Sequence, residues 1–322
     1  MSSTGKDNVK SDSEKEAHIG TLCELMVLDQ QYDKNGKLVV ISKIDRSEGS
    51  EPEFTEHALV HRRIFNKFNE LVETKLAINS PYILKALESV VEYYPSHPTY
   101  FNEPLTIDRP YMLLCHHWAE LEEYRTNTTS DEARMHVNFL LGFMDRELGQ
   151  DKKKSERLIK VGHTSFALCW TIFKPGALIV SQGAHTHLYR LRKIKYSQDS
   201  EGRFLKLSLC SCQYDGTLTG RYDSSNKLTE GIVGEAAVIN GLSFYPLEYA
   251  EKPEEIIQRV KARGERFLNF RGIYVQRYRG LLHFLKQPPL GFFSGDRREY
   301  AGSFIPKNVR YSILIFPGYR YS

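Results

Sequence analysis

The chain has 322 residues, of which 41% are hydrophobic and 12% aromatic, enough to build a sizeable core. A net charge of +4, with both signs interspersed, is too small an excess to argue for nucleic acid by itself. Five cysteines, an odd number at irregular spacing, exclude a disulfide scaffold and indicate a reducing compartment, cytoplasmic or nuclear.

Residues 1–19 are rich in Ser, Lys, Asp and Glu and hold too few apolar side chains to offset ordering entropy, so a disordered tail is expected. They lack the apolar centre of a secretory signal, and no later run reaches the ~18–20 apolar residues that span a bilayer. The sequon at Asn127-Thr128-Thr129 would then stay unused.

Thr21 to Asp29 and Lys37 to Ile44 read as a strand pair around the turn Asp33-Lys34-Asn35-Gly36. His57 to Phe65 is a strand and Lys75 to Ile78 a short extended run. Ser80 is placed to cap a helix opened by Pro81, with Ile83, Leu84, Leu87, Val90 and Val91 at helical spacing. Tyr94 to Pro110, with four prolines, reads as loop. Pro110 is expected to open a helix carrying Leu113, Leu114, Trp118 and Leu121. Ser130 starts a longer one, ending at Gly149, and a short helix from Glu156 to Val161 follows the basic stretch Lys152-Lys153-Lys154.

From Gly162 the character changes. Thr164 can cap a short helix through Trp170 and Phe173, stopped by Lys174-Pro175-Gly176. Strands are expected at Ala177 to Val180, Leu188 to Tyr196 and Phe204 to Cys212. Ile232 to Tyr249 reads as a hairpin turning at Asn240-Gly241. Pro253 opens a helix with Ile256, Ile257, Val260 and Phe267 inward, and Gly272 to Phe284 is a last strand. The fold class is α+β: N-terminal strands, a helical middle, and a curved antiparallel sheet or partial barrel in the C-terminal half. One domain is expected over 20–287, helix-rich over 80–173 and strand-rich over 174–287, with an irregular tail at 288–322.

Six segments carry a likeness in order: CELMVLDQQYDKNGKLVVI from Cys23, INSPYILKAL from Ile78, LLCHHWAEL around Trp118, HTSFALCWTIFKPGALI from His163, VINGLSFYPLEY from Val238 and RVKARGERFLNFRGIYVQRYRG from Arg259. Together, over 21–285, they resemble the uncharacterised N-terminal domain of fungal AAA+ ATPases, including the Trp-x-x-Phe-Lys-Pro-Gly pattern at 170–176. The resemblance implies a module that recruits substrates or regulates an ATPase. The sequence itself holds no Gly-x-x-x-x-Gly-Lys-Ser/Thr phosphate cradle, so ATP binding by this chain is not expected, and a truncated product that kept only the N-terminal domain fits the departure of the tail.

Each candidate site has a plain structural alternative. His185 with His187 and Cys210 with Cys212 are i, i+2 pairs that could converge on Zn²⁺, but half-buried cysteines and a polar loop account for them as well. His116 and His117 point about 100° apart on a helix and read as helix surface beside a core Trp118. Cys115 and Cys169 lie in apolar runs and read as inert thiols. Asp215-Gly216 is a turn rather than a catalytic acid, and Glu254-Glu255 suit a helix N-terminus. Trp170, Lys174, Pro175 and Gly176 form an architectural corner that could double as a partner-binding surface. Arg190, Arg192, Lys193 and Lys195, with Arg259, Lys261, Arg263 and Arg266, read as solvated faces, so nucleic acid is not expected. No catalytic, cofactor or metal residue is assigned. The expectation is a non-catalytic module with a protein partner and no membrane, against the alternatives of a hydrolytic or metal-dependent enzyme in the β-rich half or a fragment without function.

Overall fold

The structure, a computed structural model, describes residues 19–33, 36, 38–41, 55–95, 101, 103–182, 186–214, 219–269, 275–278 and 312–315. The chain divides into two compact units, residues 1–211 with 223–256, and residues 212–222 with 257–322. The expected N-terminal tail (residues 1–18 of it), His185 and Asp215-Gly216 lie outside the described residues.

The first unit opens with a five-stranded sheet. β1 (Leu22–Tyr32), β2 (Leu38–Val40), β3 (His57–Phe65), β4 (Leu71–Ile78) and β5 (Leu105–Asp108) stand in the order β2-β1-β3-β4-β5. β1 and β2 are antiparallel, and the Gly36 N–H closes their turn onto the Asp33 carbonyl at 3.1 Å. β1 runs parallel to β3, a pairing invisible to local reading. β5 corrects the expectation of loop over Tyr94 to Pro110: its Leu105 and Ile107 alternate with exposed residues and pair with Ile78 and Leu76 at the sheet edge.

Period-two alternation in β3 and β4 sends Leu59, Leu76 and Ile78 to a helical layer and Val60 and Ala77 to the opposite face, against Leu28. Gly20 closes the corner beneath β4. It adopts φ +66°, and a Cβ there would meet the Asn79 carbonyl carbon at 2.3 Å, so only glycine fits.

The helical middle is α1 (Pro81–Val90), α2 (Met112–His116), α3 (Trp118–Asn127) and α4 (Asp131–Lys160). Ser80 caps α1 as its sequence indicates, accepting from the Ile83 N–H at 3.3 Å, and its hydroxyl also meets His136 Nδ1 at 2.8 Å. Ser130 caps α4 through the Ala133 N–H at 3.1 Å.

Two expectations fail here. The helix expected from Pro110 is two helices broken at His117, and Pro110 lies ahead of the Tyr111 cap. The helix expected to stop at Gly149 runs on to Lys160, taking in the basic stretch and the separate helix expected at Glu156 to Val161. Tertiary contacts hold its second half: Lys152 sits over the Trp118 ring at 4.4 Å, and the Ser155 and Thr171 hydroxyls meet at 2.5 Å.

A short antiparallel pair, β6 (His163–Thr164) with β11 (Ala237–Val238), precedes a 3-10 turn at Phe166–Leu168 and α5 (Cys169–Ile172). The cap of that turn is Ser165, not Thr164. The second sheet takes the order β10-β9-β8-β7-β12, from β7 (Leu178–Ser181), β8 (His187–Asp199), β9 (Gly202–Tyr214), β10 (Thr219–Thr229) and β12 (Phe244–Pro246). It is open rather than closed into a barrel.

β10 escapes sequence reading because an edge strand needs few apolar residues, and only Leu228 of it is part of the core. The expected hairpin at Asn240-Gly241 does not form. Ile239–Gly241 is a 3-10 turn after the short α6 (Glu230–Val233), and the flanking strands pair elsewhere, β11 with β6 and β12 with β7.

One buried cluster joins Leu59, Ile78, Leu87, Leu140, Phe173, Leu191 and Leu207, so sheets and helices of this unit share a core. Burying each such side chain contributes about 1.5–3 kcal/mol.

α7 (Pro253–Asn269) begins as expected at Pro253. Ile256 packs on the core of the first unit, whereas Ile257, expected inward, is 40% exposed. In the second unit β13 (Val275–Tyr278), within the strand expected at Gly272 to Phe284, pairs antiparallel with β14 (Ser312–Ile315). β14 lies in the stretch read above as an irregular tail; the rest of that stretch is outside the described residues.

Candidate functional site

The Trp170–Gly176 signature borders a cleft of about 690 Å³. α5 carries Trp170 into the core and ends at Phe173. Pro175-Gly176 then reverses the chain into β7: the Ala177 N–H donates to the Lys174 carbonyl at 3.0 Å and the Gly176 N–H to the Leu191 carbonyl at 2.7 Å. Gly176 takes φ +95°, and a Cβ there would press on the Tyr93 carbonyl at 3.1 Å. The corner thus seats against the chain leaving α1, and Tyr93, Glu120, Tyr124, Lys174 and Arg190 line the opening.

The histidine pair sits behind this opening, which corrects its reading as helix surface. His117 is 3% exposed and His116 is part-buried between Tyr94 and Trp170. The break between α2 and α3 is what lets two adjacent side chains both turn inward. His116 Nε2–H donates to the Trp170 carbonyl at 2.8 Å, so Nδ1 is left to accept from the Tyr94 hydroxyl at 3.0 Å. His117 Nδ1–H donates to the Leu113 carbonyl at 2.8 Å, which leaves Nε2 as the acceptor nitrogen of a residue that lines the cleft. Burial lowers the pKa of both rings, that of His116 to about 4, so both are neutral near pH 7.

Lys174 Nζ donates to Glu120 Oε1 at 2.9 Å across 54 residues of sequence. Burial pushes Glu120 up, but that ammonium, a backbone N–H and His117 together more than offset it and leave the carboxyl below its usual range. Burial raises Glu248 despite the charge of Lys174. Arg190 lies over the exposed Tyr93 ring at 5.8 Å. Tyr93, Glu120 and Arg190 come from three distant segments, and no spacing in the sequence links them.

The other candidates fall elsewhere. Burial raises the Cys115 thiol to about 11 and the Cys169 thiol to about 12. Cys210 stands opposite Arg190 in the ladder, Cys212 is exposed, and His187 pairs with Ser181 at the start of β8. Among the described residues no group of three or more His, Cys, Asp or Glu is arranged to hold a metal ion. Glu255 bonds Lys252 at 2.8 Å in the first turn of α7. No helix among the described residues is long and apolar enough to cross a membrane.

No curated protein and no solved structure matches the chain. Residues 154–251, which contain the Trp170–Gly176 corner and all five strands of the second sheet, match a family described as a domain of unknown function (DUF7025).

Proposed function

We propose that the chain is a non-catalytic interaction module whose cleft at the Lys174–Gly176 corner receives a segment of a protein partner. The observation that carries this reading is that the polar groups around the cleft are already fixed by the fold. His116 has both nitrogens engaged, His117 is anchored on a backbone carbonyl, and Lys174 is bonded to Glu120. A rigid wall of this kind lowers the entropy lost on binding. Beside it Tyr93 stays 53% exposed, offering the aromatic surface that anchors partner segments.

The ordered likeness to the N-terminal domain of fungal AAA+ ATPases supports a recruiting or regulatory role in the reducing interior of the cell, by analogy of position. An enzyme is the second reading. Its one favourable observation is that His117, whose acceptor nitrogen the Leu113 bond does not use, lines the same open cleft as Lys174.

Selection of a phage-displayed peptide library on the purified chain separates the two. Selected peptides should lose at least about tenfold in affinity on Tyr93→Ala, as for an interface anchor. Binding indifferent to that substitution, or turnover of ATP, esters or peptides that His117→Ala abolishes, would overturn the proposal.

A further inference from the structure

The second sheet presents an outward face that the cleft does not use. β8 and β9 pair with a register shift: Leu191 faces Leu209, but Lys193 faces Ser208. Arg192 is therefore the extra residue of a β-bulge. The bulge resets the alternation, so Leu191 and Ile194 are both buried and Lys193 joins Lys195 outside. Strict alternation would have placed Lys193 on the face of Leu191.

Directly across the ladder, Lys195 faces Lys206. Like charges opposed at Cβ separations of about 5 Å repel, and a fold gains nothing from them by itself. Other cations beside them are neutralised: Arg192 pairs with Asp223 at 4.0 Å, and Lys227 bonds Asp199. Lys193, Lys195 and Lys206 are exposed and, among the described residues, have no carboxylate within ion-pair distance.

Lys193 and Lys206 line a depression of about 580 Å³ together with Arg192, Ser208, Ser224 and Ser225. The Ser224 hydroxyl is buried and, among the described residues, has no hydrogen-bond partner. Two ammonium groups and three serines around one hollow match a compact dianion with several acceptor oxygens.

We infer that this hollow on β8, β9 and β10 binds the phosphate of a phosphorylated serine or threonine in an extended segment of a partner protein. A nucleic-acid backbone fits less well. Asp223 also lines the hollow, where it would repel a continuous run of phosphates, and among the described residues no aromatic side chain lines the hollow to stack a base. The site shares no lining residue with the corner cleft, so it stands or falls separately from the function proposed above.

The test is fluorescence anisotropy of the full chain with a phosphoserine-oriented degenerate peptide library, its unphosphorylated counterpart, and single-stranded and duplex oligonucleotides. The phosphorylated library should bind at least about tenfold more tightly than its counterpart, in line with charge-assisted hydrogen bonds. The double variant Lys193→Ala/Lys206→Ala should remove that difference, while Lys153→Ala, an exposed lysine on α4, leaves it intact. Both altered lysines are exposed and, among the described residues, unpaired, so the double variant should melt within a degree or two of the parent chain. Equal binding by the two libraries, phosphate-dependent binding that survives the double variant, or oligonucleotides bound more tightly than the phosphorylated library would each overturn the inference.

Discussion

Lowering the pH tests the histidine network behind the cleft. His116 is held as one neutral tautomer, because the Trp170 carbonyl can only accept and the Tyr94 hydroxyl must then donate. Burial lowers its pKa from 6.5 to about 4, with the Trp170 carbonyl opposing the shift and His117 and Lys174 adding to it. Above pH 6.5 neither the native nor the unfolded ring carries a proton, and the group adds no pH dependence. Between 6.5 and about 4 the unfolded ring takes a proton that the native ring refuses, so stability falls as pH falls, by about 1.4 kcal/mol per pH unit. The whole shift amounts to at most about 3 kcal/mol, and the loss levels off once the native ring also protonates. Burial shifts His61, His117 and His136 in the same direction, so the parent chain carries further losses on top of this one. His116→Gln isolates the term, since a glutamine amide offers a donor and an acceptor without titrating. Urea unfolding followed by the fluorescence of buried Trp118 and Trp170, stepped from pH 7.5 to 4, should show the advantage of the parent chain over His116→Gln shrinking as pH falls. The His116 Cε1 proton, assigned by its absence from the variant, should not titrate above pH 5. Parallel stability curves, or a Cε1 proton that titrates near pH 6.5, would refute the argument.

Two substitutions test the helices. Ser80→Ala removes the cap on the Ile83 N–H and strands His136 Nδ1 in a fully buried place, and should cost about 2 kcal/mol in a urea titration. A loss below about 0.5 kcal/mol would show that the two bonds contribute little. Gly142 lies exposed on α4 with nothing within 4 Å of an added Cβ, so Gly142→Ala should raise stability by about 0.5–1 kcal/mol through helix propensity alone. A lowered melting temperature would contradict that account.

Features that rest on a few adjacent residues were legible. His57–Phe65 is a strand because β-formers crowd it, and α1 begins at Pro81 because serine and proline satisfy a helix start within one turn. Pro253 opens α7 because its missing N–H costs nothing at the first helical position. Where the outcome depends on a partner distant in sequence, local signals mislead. Gly149 offers a helix stop, yet Trp118 and Thr171 hold the following turns in place. Asn240-Gly241 offers a hairpin, yet β6 and β7 take its two strands.

The candidate site divides along the same line. The Trp-x-x-Phe-Lys-Pro-Gly signature could be read directly as a corner, since proline and a left-handed glycine impose the turn on their own. That Tyr93, His117, Glu120 and Arg190 gather around it could not be read, because the Lys174–Glu120 bond spans 54 residues and the inward turn of both histidines needs the break between α2 and α3. The order of the amino acids sets which short segments can curl, extend or reverse, through steric limits and hydrogen bonds that act within a turn or two. Which of those segments meet, and so which side chains share a cleft or a charged hollow, is decided by burial and ladder pairing across the whole chain.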